Sequence, residues 1–554
     1  MATPAMTSVD QMGPGGTSPS VARIARSGAA ANHAGKDAGV CRFCVAMARP
    51  ALQLLPRLRT SISAMLARMR TRLLLVLAIA AGFVSPLVGQ TPTTLLRAGD
   101  TVIMGGWLFD GVRDTVVRNT GIVVRAGIFM EVGVDLSKRD LTPAKVVQLT
   151  DDQYILPGLF DLHAHYAVDL FGGANNRVDE FTVNPVIFLA NGVTSTFPAG
   201  EVDPDNMMAA RRRIERGEQI GARIHSSGPY FGSARPFWNR QTETPEQVRK
   251  EVDEWAAKGV KGFKAKGITP PLLSALIDEA HHYGLTVTAH LDSGSGTSVN
   301  PRDAILMGID RIEHFMGGDA ITGDKSAYAS LEALDVTRPE VDAICDLYIK
   351  RHVYYDATVT AYGYWYNEKD PRVFTQWMDE RSFLTPHAND IVTAHLPRRD
   401  DQQFHRIYDV KFKEVKRFYD KGGAQLITVG TDHPSWGEFL SGFGTHRELN
   451  AFVLAGIPPA AALKMATINA AHALRMSDEL GSIEPGKLAD LVVIHGNPLQ
   501  DITNTHNVQQ VMKGGVVYDS KVLFDSVKGK MGPATAADDD WWKGSIRFKP
   551  GGGE

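Results

Sequence analysis

His163 and His165 stand two residues apart in "ILPGLFDLHAHY", Ile155 to Tyr166, where an apolar strand-like run ends. Side chains alternate faces along a strand, so residues two apart point the same way. Two neutral imidazoles aimed at one point can hold a metal ion. A solvated strand end would accommodate such a pair equally well, so the metal reading depends on further ligands downstream. Those occur singly in other strand-like runs. Lys264 lies in "VKGFKAKG", His290 ends "LTVTAH", His314 ends "DRIEH" and Asp432 ends "LITVGTD". Any one of these histidines also fits a hydrogen-bonded core position; the whole set, all at strand ends, fits a metal centre. Lys266 should share the face of Lys264, and Lys261 should face the other way. By the same alternation Glu313, just before His314, should point away from the site.

The elements that must position these residues follow from the patterning. Eight strand-like runs alternate with helical stretches: Leu159–His163, Val193–Pro198, Arg223–Ser227, Lys261–Ala265, Leu285–His290, Arg311–Phe315, His352–Thr358 and Leu426–Thr431. "TPEQVRKEVDEWAAKG" and "TPPLLSALIDEAHHYG" are examples of the helices between them. The pattern predicts an α/β fold, a (β/α)8 TIM-type barrel, whose sites gather at the C-terminal strand ends. A doubly wound open sheet is the alternative, but no glycine-rich phosphate loop follows these strands. Short strand-like runs with turn signals flank this region, such as "TGIVVRAGIFMEVG" before it and "VQQVMKGGVVYD" after it. They predict one small β-sandwich domain formed by both flanks.

The chain has 554 residues, 44% hydrophobic and 22% charged, with a net charge of −3. Near-neutral charge gives no reason to expect nucleic acid or an anionic membrane as a partner. Three cysteines imply no disulfide framework. Cys41 and Cys44 form a CxxC, but no second one completes a zinc site. Residues 1–64 are rich in Ala, Gly, Ser, Arg and Pro without periodicity and read as disordered, or as a mis-called extension. Residues 65–90 read as a signal peptide: Arg68, Arg70 and Arg72, a short apolar run, then small residues. That run is short for a membrane span, so no stable span is expected after processing; a retained anchor is the weaker alternative. Met65 or Met69 is then the expected start, and the mature chain is exported to the periplasm or secreted, with Cys345 its only cysteine. The remaining boundaries are 91–155 and 479–526 for the β-sandwich, 156–478 for the barrel and 527–554 for a tail carrying Trp541 and Trp542.

"PGLFDLHAH", the fourth-strand lysine, the two later histidines and "GTDHP" resemble the amidohydrolase superfamily. "ATINAAHALRMSDELGSIEPGKLADLVVIHGNPLQDI" resembles its imidazolonepropionase-like and prolidase-like (Xaa-Pro dipeptidase-like) branch. The likeness covers residues from about 97 to 522. It implies that His163, His165 and Asp432 hold one metal, that His290 and His314 hold a second, and that Lys264, carboxylated by carbon dioxide, bridges them. Lys266 is the fallback. An ammonium has no lone pair for a metal; a carbamate is an anion with two oxygens. Two divalent ions are implied, with zinc fitting the N/O ligand set, as other divalent metals also do. A water bridging two dications gives hydroxide at neutral pH, and Asp432 would shuttle its proton to the leaving nitrogen. An amide or peptide-like C–N bond is the implied target, in an Xaa-Pro dipeptide or N-acyl amino acid.

Two other readings stand beside this one. Mononuclear relatives open small rings, as imidazolonepropionase does, or deaminate bases, and commonly carry a glutamate three residues after the strand-five histidine. Here Leu291, Asp292 and Ser293 follow His290. A non-catalytic binding protein on a decayed barrel would have lost ligands, and none is missing. Tyr230 and Arg235 (or Arg240) in "GPYFGSARPFWNR" could clamp a substrate carboxylate. His225, His433 and His446 are further candidates for the mouth, with His446, in "GTHREL", as the substrate contact. Tyr362, Tyr364, Trp365 and Tyr366 begin a long insert that could form a lid over an apolar or aromatic substrate, or simply pack on the barrel. Dimers or larger assemblies are common among relatives.

Overall fold

A computed structural model describes residues 95–168, 178–201, 203–235, 243–291, 298–321, 326–363, 370–394, 402–433 and 441–538. The N-terminal extension, the signal-like segment, Cys41, Cys44, Arg240, Tyr364, Trp365, Tyr366, Trp541 and Trp542 lie outside the described residues.

The N-terminal flank forms β1 (Thr101–Met104), β2 (Trp107–Leu108), β3 (Val117–Arg118), β4 (Ile122–Arg125), β5 (Ile128–Val132), β6 (Lys145–Gln148) and β7 (Gln153–Pro157). The middle of the chain forms β8 (Leu159–Ala164), a short pair β9 (Ala167–Val168) and β10 (Val178–Asp179), then β11 (Val193–Pro198), β12 (Arg223–Ile224) and β13 (Tyr230–Phe231). It continues with β14 (Gly262–Lys266), β15 (Thr286–His290), β16 (Arg311–Glu313), β17 (Tyr354–Asp356) and β18 (Ile427–Thr428). The C-terminal flank adds β19 (Leu491–His495), β20 (Val508–Lys513) and β21 (Val516–Asp519).

All eight expected strands of the middle region are present, joined by helices in a mixed α/β arrangement. They form two parallel sheets, β12-β11-β8 and β13-β14-β15-β16-β17-β18. The break falls where the sequence expected one strand over Arg223–Ser227. That strand stops at Ile224, and the short β13 pairs with β14 instead. Pro229 has no N–H to give a ladder, Gly228 turns with φ 63°, and Glu201 occupies the Ser226 hydroxyl and the Ser227 N–H. Single backbone hydrogen bonds reach across the gaps: Lys261 N to Ser226 O at 2.8 Å, Leu162 N to Val429 O at 2.9 Å, and Asp432 N to His163 O at 2.8 Å.

The strands carry one apolar and one polar face. Phe160, Leu162, Phe263, Ala289 and Ile312 join the main hydrophobic core. Asp161, His163, Lys264, Thr288, Arg311, Glu313 and Asp356 are the alternate, equally buried positions. Those polar side chains meet across non-neighbouring strands, so they share an interior. The helices show why the sequence pattern was readable. In "TPEQVRKEVDEWAAKG", Thr244 and Gln247 form a capping box, Pro245 opens the helix Pro245–Lys258, and Gly259 closes it at φ 89°.

The flanks pair with each other as expected. One sheet runs β21-β20-β19-β7-β2-β3, with β7 antiparallel to β19, and a second runs β5-β4-β1-β6. Ile103, Ile122 and Phe129 of the second pack with Leu108, Ile155, Leu491 and Met512 of the first in one cluster. Among the described residues no helix is long and apolar enough to cross a membrane.

Candidate metal centre

Four imidazoles converge at one end of the parallel strands. The ring centres of His163 and His165 are 5.3 Å apart, those of His163 and His314 4.7 Å, and those of His290 and His314 4.6 Å. Asp432 closes the group, its Oδ1 2.8 Å from His165 Nε2 and 3.3 Å from His163 Nε2. His163, His165 and Asp432 form one set able to hold a metal ion, and His163, Glu313 and His314 a second. Burial pushes His163, His290 and His314 well below the usual imidazole range, which favours their neutral, lone-pair-bearing form. Burial alone would raise the Asp432 carboxyl; His163 and His165 beside it overcome that and hold it well below the usual carboxylate range. Lys264 is buried beside them, and burial, then Lys266, push its amine well below the usual range. His163 Nδ1 is buried and makes no hydrogen bond, although Glu313 Oε2 lies 3.4 Å away. A buried imidazole nitrogen without a hydrogen-bond partner, among neutral imidazoles and carboxylates, suits a cation.

Glu313 corrects the sequence expectation. Its carboxylate faces inward, contacts Lys264 Nζ, and accepts from Thr288 Oγ1 at 2.9 Å. Alternation had been counted from His314, but β16 ends at Glu313 and His314 lies beyond it with φ 64°. That left-handed residue resets the phase, so Glu313 and His314 both reach the interior. The apolar Ile312, which faces the helices, was the signal that put its neighbours inside.

Two hydrogen-bond sets hold the ligands, and neither was anticipated. His314 Nδ1 lies 2.7 Å from Thr358 Oγ1, which donates to its own peptide's neighbour, the Ala357 carbonyl, at 2.8 Å. The hydroxyl has one proton, so it accepts from an N–H on His314 Nδ1 and leaves Nε2 as the lone-pair nitrogen. Asp161 accepts from His163 N at 3.1 Å, Thr431 N at 3.1 Å and Thr431 Oγ1 at 2.6 Å. It thereby ties the strand of His163 to the turn that presents Asp432.

The other expected residues are placed differently. Tyr230 pairs in register with Lys264 across β13 and β14, and its ring lies over Gly200. Arg235 Nη1 is paired with Glu251 Oε2 of the helix Pro245–Lys258 at 2.6 Å. His446 is buried, its Nε2 2.9 Å from the Asn191 carbonyl and its ring edge-on to Trp377. His225 stacks on Phe160 at the apolar face. No hydrogen bond or ring contact of the described residues joins His446 or His225 to the four-histidine cluster. His433 follows Asp432, and its carbonyl accepts from His165 N at 3.0 Å. Tyr362 reaches the cluster, its ring centre 6.4 Å from that of His314. The helix Gln402–Asp420 of the insert packs Ile407, Tyr408, Val415 and Phe418 into the core.

Known proteins can be set beside this geometry. The model of the family described as "Amidohydrolase family" matches residues 154–518. The imidazolonepropionase of Geobacillus kaustophilus (strain HTA426) is 46% identical over 74 residues, 12% of this chain and 18% of the relative. The adenine deaminase of Clostridium botulinum (strain 657 / Type Ba4) is 39% identical over 129 residues, 23% of this chain and 20% of the relative. The chain thus spans about a fifth of the length of the curated relatives it matches. A crystal structure of a Xaa-Pro dipeptidase with methionine bound in its active site shares the fold, a TIM-like barrel, at a TM-score of 0.56 and 23% identity, covering 76% of this chain and 100% of that one. The chain belongs to the amidohydrolase family, with likeness to its prolidase-like and imidazolonepropionase-like branch.

Proposed function

We propose that this protein is a metal-dependent hydrolase that cleaves an amide or peptide-like C–N bond, in an Xaa-Pro dipeptide or N-acyl amino acid. The observation that carries the reading is the meeting of His163, His165, His290, His314 and Asp432, drawn from different strands, around a buried Lys264. His163, His165 and Asp432 would hold one divalent ion, and His290 and His314 a second. Zinc suits these donors. Lys264, buried among these side chains, would be carboxylated by carbon dioxide and would then supply an anionic ligand shared by the two ions. Charge balance supports two ions. With neutral imidazoles, Asp432, Glu313 and a Lys264 carbamate make three anions side by side, which a single dication would leave with a net negative charge.

Divalent ions held here would activate water and polarise a carbonyl. The protein's own residues then do the rest. About a fifth of the Asp432 side chain is exposed, more than that of His163, His165, Lys264 or Glu313, so it is the group that an incoming water and substrate can reach. It takes the water's proton and returns it to the leaving nitrogen, which a poor amine leaving group requires. Thr358 holds the His314 ring, and Asp161 holds the turn bearing Asp432.

Several further elements belong to the same reading. We take the two parallel sheets as one eight-stranded ring, supported by the backbone hydrogen bonds across both gaps, and the two flank sheets as a sandwich, supported by their shared cluster. The boundaries at 155/156 and 478/479 follow. Export rests on the sequence of residues 65–90.

Elemental mass spectrometry of the full-length chain, expressed with zinc and bicarbonate, tests the centre. About two metals per chain, falling in Lys264→Ala, is the expected result. One per chain, unchanged by that substitution, would make Lys264 structural and favour the mononuclear ring-opening or deaminating chemistry. A panel of Xaa-Pro dipeptides and N-acyl amino acids then tests the substrate; no turnover across it removes that substrate class and spares the centre.

A further inference from the structure

Among His163, His165, His290 and His314, only His314 has a positive φ, 64°. A histidine keeps that backbone only where its surroundings impose it. The restraint comes from the outer face of the sheet, opposite the histidine cluster. Tyr355 Oη lies 2.9 Å from both the His314 carbonyl oxygen and Glu414 Oε2, between which its one proton is shared, and Lys411 Nζ donates to the same carbonyl. Lys411 and Glu414 lie on the helix Gln402–Asp420, and both are fully buried. Lys411 Nζ also donates to Tyr355 Oη and, at 2.6 Å, to Glu414 Oε2. Its three N–H donors thus meet three acceptors. Glu414 Oε1 accepts from the N–H of Met316, two residues past His314, at 3.4 Å. Tyr348 Oη donates to the Met316 carbonyl at 3.1 Å.

A buried ion pair is a poor source of stability, because desolvation offsets its attraction and apolar residues often replace it without loss. Its placement here points instead to what it grips. We propose that Lys411 and Glu414, together with Tyr355, are positioning residues for His314. They anchor its carbonyl on the outer face, and that turns its imidazole inward to the other three. The proposal rests on His314 being a metal ligand.

The test uses zinc affinity, read by competition with a chelator, and the visible spectrum of the cobalt-substituted protein. Full-length wild type is compared with Lys411→Met/Glu414→Leu, Tyr355→Phe, His314→Asn and the triple combination Lys411→Met/Glu414→Leu/His314→Asn. In the double variant zinc affinity at the site served by His290 and His314 falls about tenfold or more, the range for groups that orient a ligand, and the cobalt spectrum changes. The urea midpoint falls less than when one partner alone is removed, because the replacements are apolar, of similar volume, and leave no unpaired buried charge. The triple combination loses no more affinity than His314→Asn, since both changes act through one ligand. Unchanged zinc affinity and cobalt spectrum in the double variant overturn the proposal, as does a loss that adds to that of His314→Asn. If the double variant does not fold, Tyr355→Phe, which removes a single hydroxyl, decides by the same two readouts. If His314→Asn itself leaves zinc affinity unchanged, the ligand assignment fails, and this proposal fails with it by a result distinct from the others.

Discussion

Thr358 and Asp432 show how much rests on single atoms. The Thr358 hydroxyl donates to Ala357 and accepts from His314, which selects the tautomer that points Nε2 inward. Thr358→Val keeps the shape and deletes that acceptor. We expect metal affinity to fall about tenfold or more, measured by chelator competition, with Thr358→Ser restoring it. Asp432→Asn keeps an oxygen but cannot carry a proton. Turnover should drop on the order of a hundredfold or more while bound metal is retained, which steady-state rates alongside metal analysis will show. At this scale His163, His165, His290, His314 and Asp432 were legible as one set because strand ends show where apolar runs stop, while Lys264 was chosen over Lys266 by the family likeness. The strand reading misplaced Glu313, because one left-handed residue shifts the alternation and φ is not written in a residue's identity. Thr358 and Asp161 were missed because a hydroxyl or carboxylate that orients a ligand has no spacing relative to it.

At the scale of elements, caps and prolines made the helices readable. Thr244 accepts from the Gln247 N–H and Gln247 returns the bond to the Thr244 N–H. Thr244→Ala should therefore destabilise the protein by about 1 kcal/mol, seen as a lower urea midpoint. β11 was read to the residue and β8, β14 and β15 to within one, yet the third, sixth, seventh and eighth expected strands are shorter than read, the third stopping at Ile224. The insert after β17 was the weakest reading. Its aromatic residues left a lid and packing on the barrel equally open; Ile407, Lys411, Glu414, Val415 and Phe418 of the insert's helix share one buried face.

At the scale of the whole molecule, burial of histidines sets the response to acid. Burial takes His433 and His446 down to about 3, against 6.5 for the free side chain. The unfolded chain binds protons near pH 6.5 that the native state refuses, so stability is greatest above that pH and falls as pH drops toward 3. Urea midpoints measured from pH 7 to pH 5 should decline, and His446→Gln should flatten the decline. Stripping metal with a chelator should also lower the melting temperature, since ions that bind only the folded centre stabilise it by mass action.

The pairing of β7 with β19 also has a bearing on the order of events during synthesis. About 330 residues separate Pro157 from Leu491, its partner in register. Gln153–Pro157 therefore waits, with one edge open, until the ribosome has made almost the whole chain. His163 follows only six residues after Pro157, on β8, the next strand along the chain. A nascent chain halted between His290 and Leu491 carries most of the proposed ligands while the β19-facing edge of β7 is still open. Metal capture thus belongs to the finished polypeptide, and a shortened one presents a sticky edge instead of a centre.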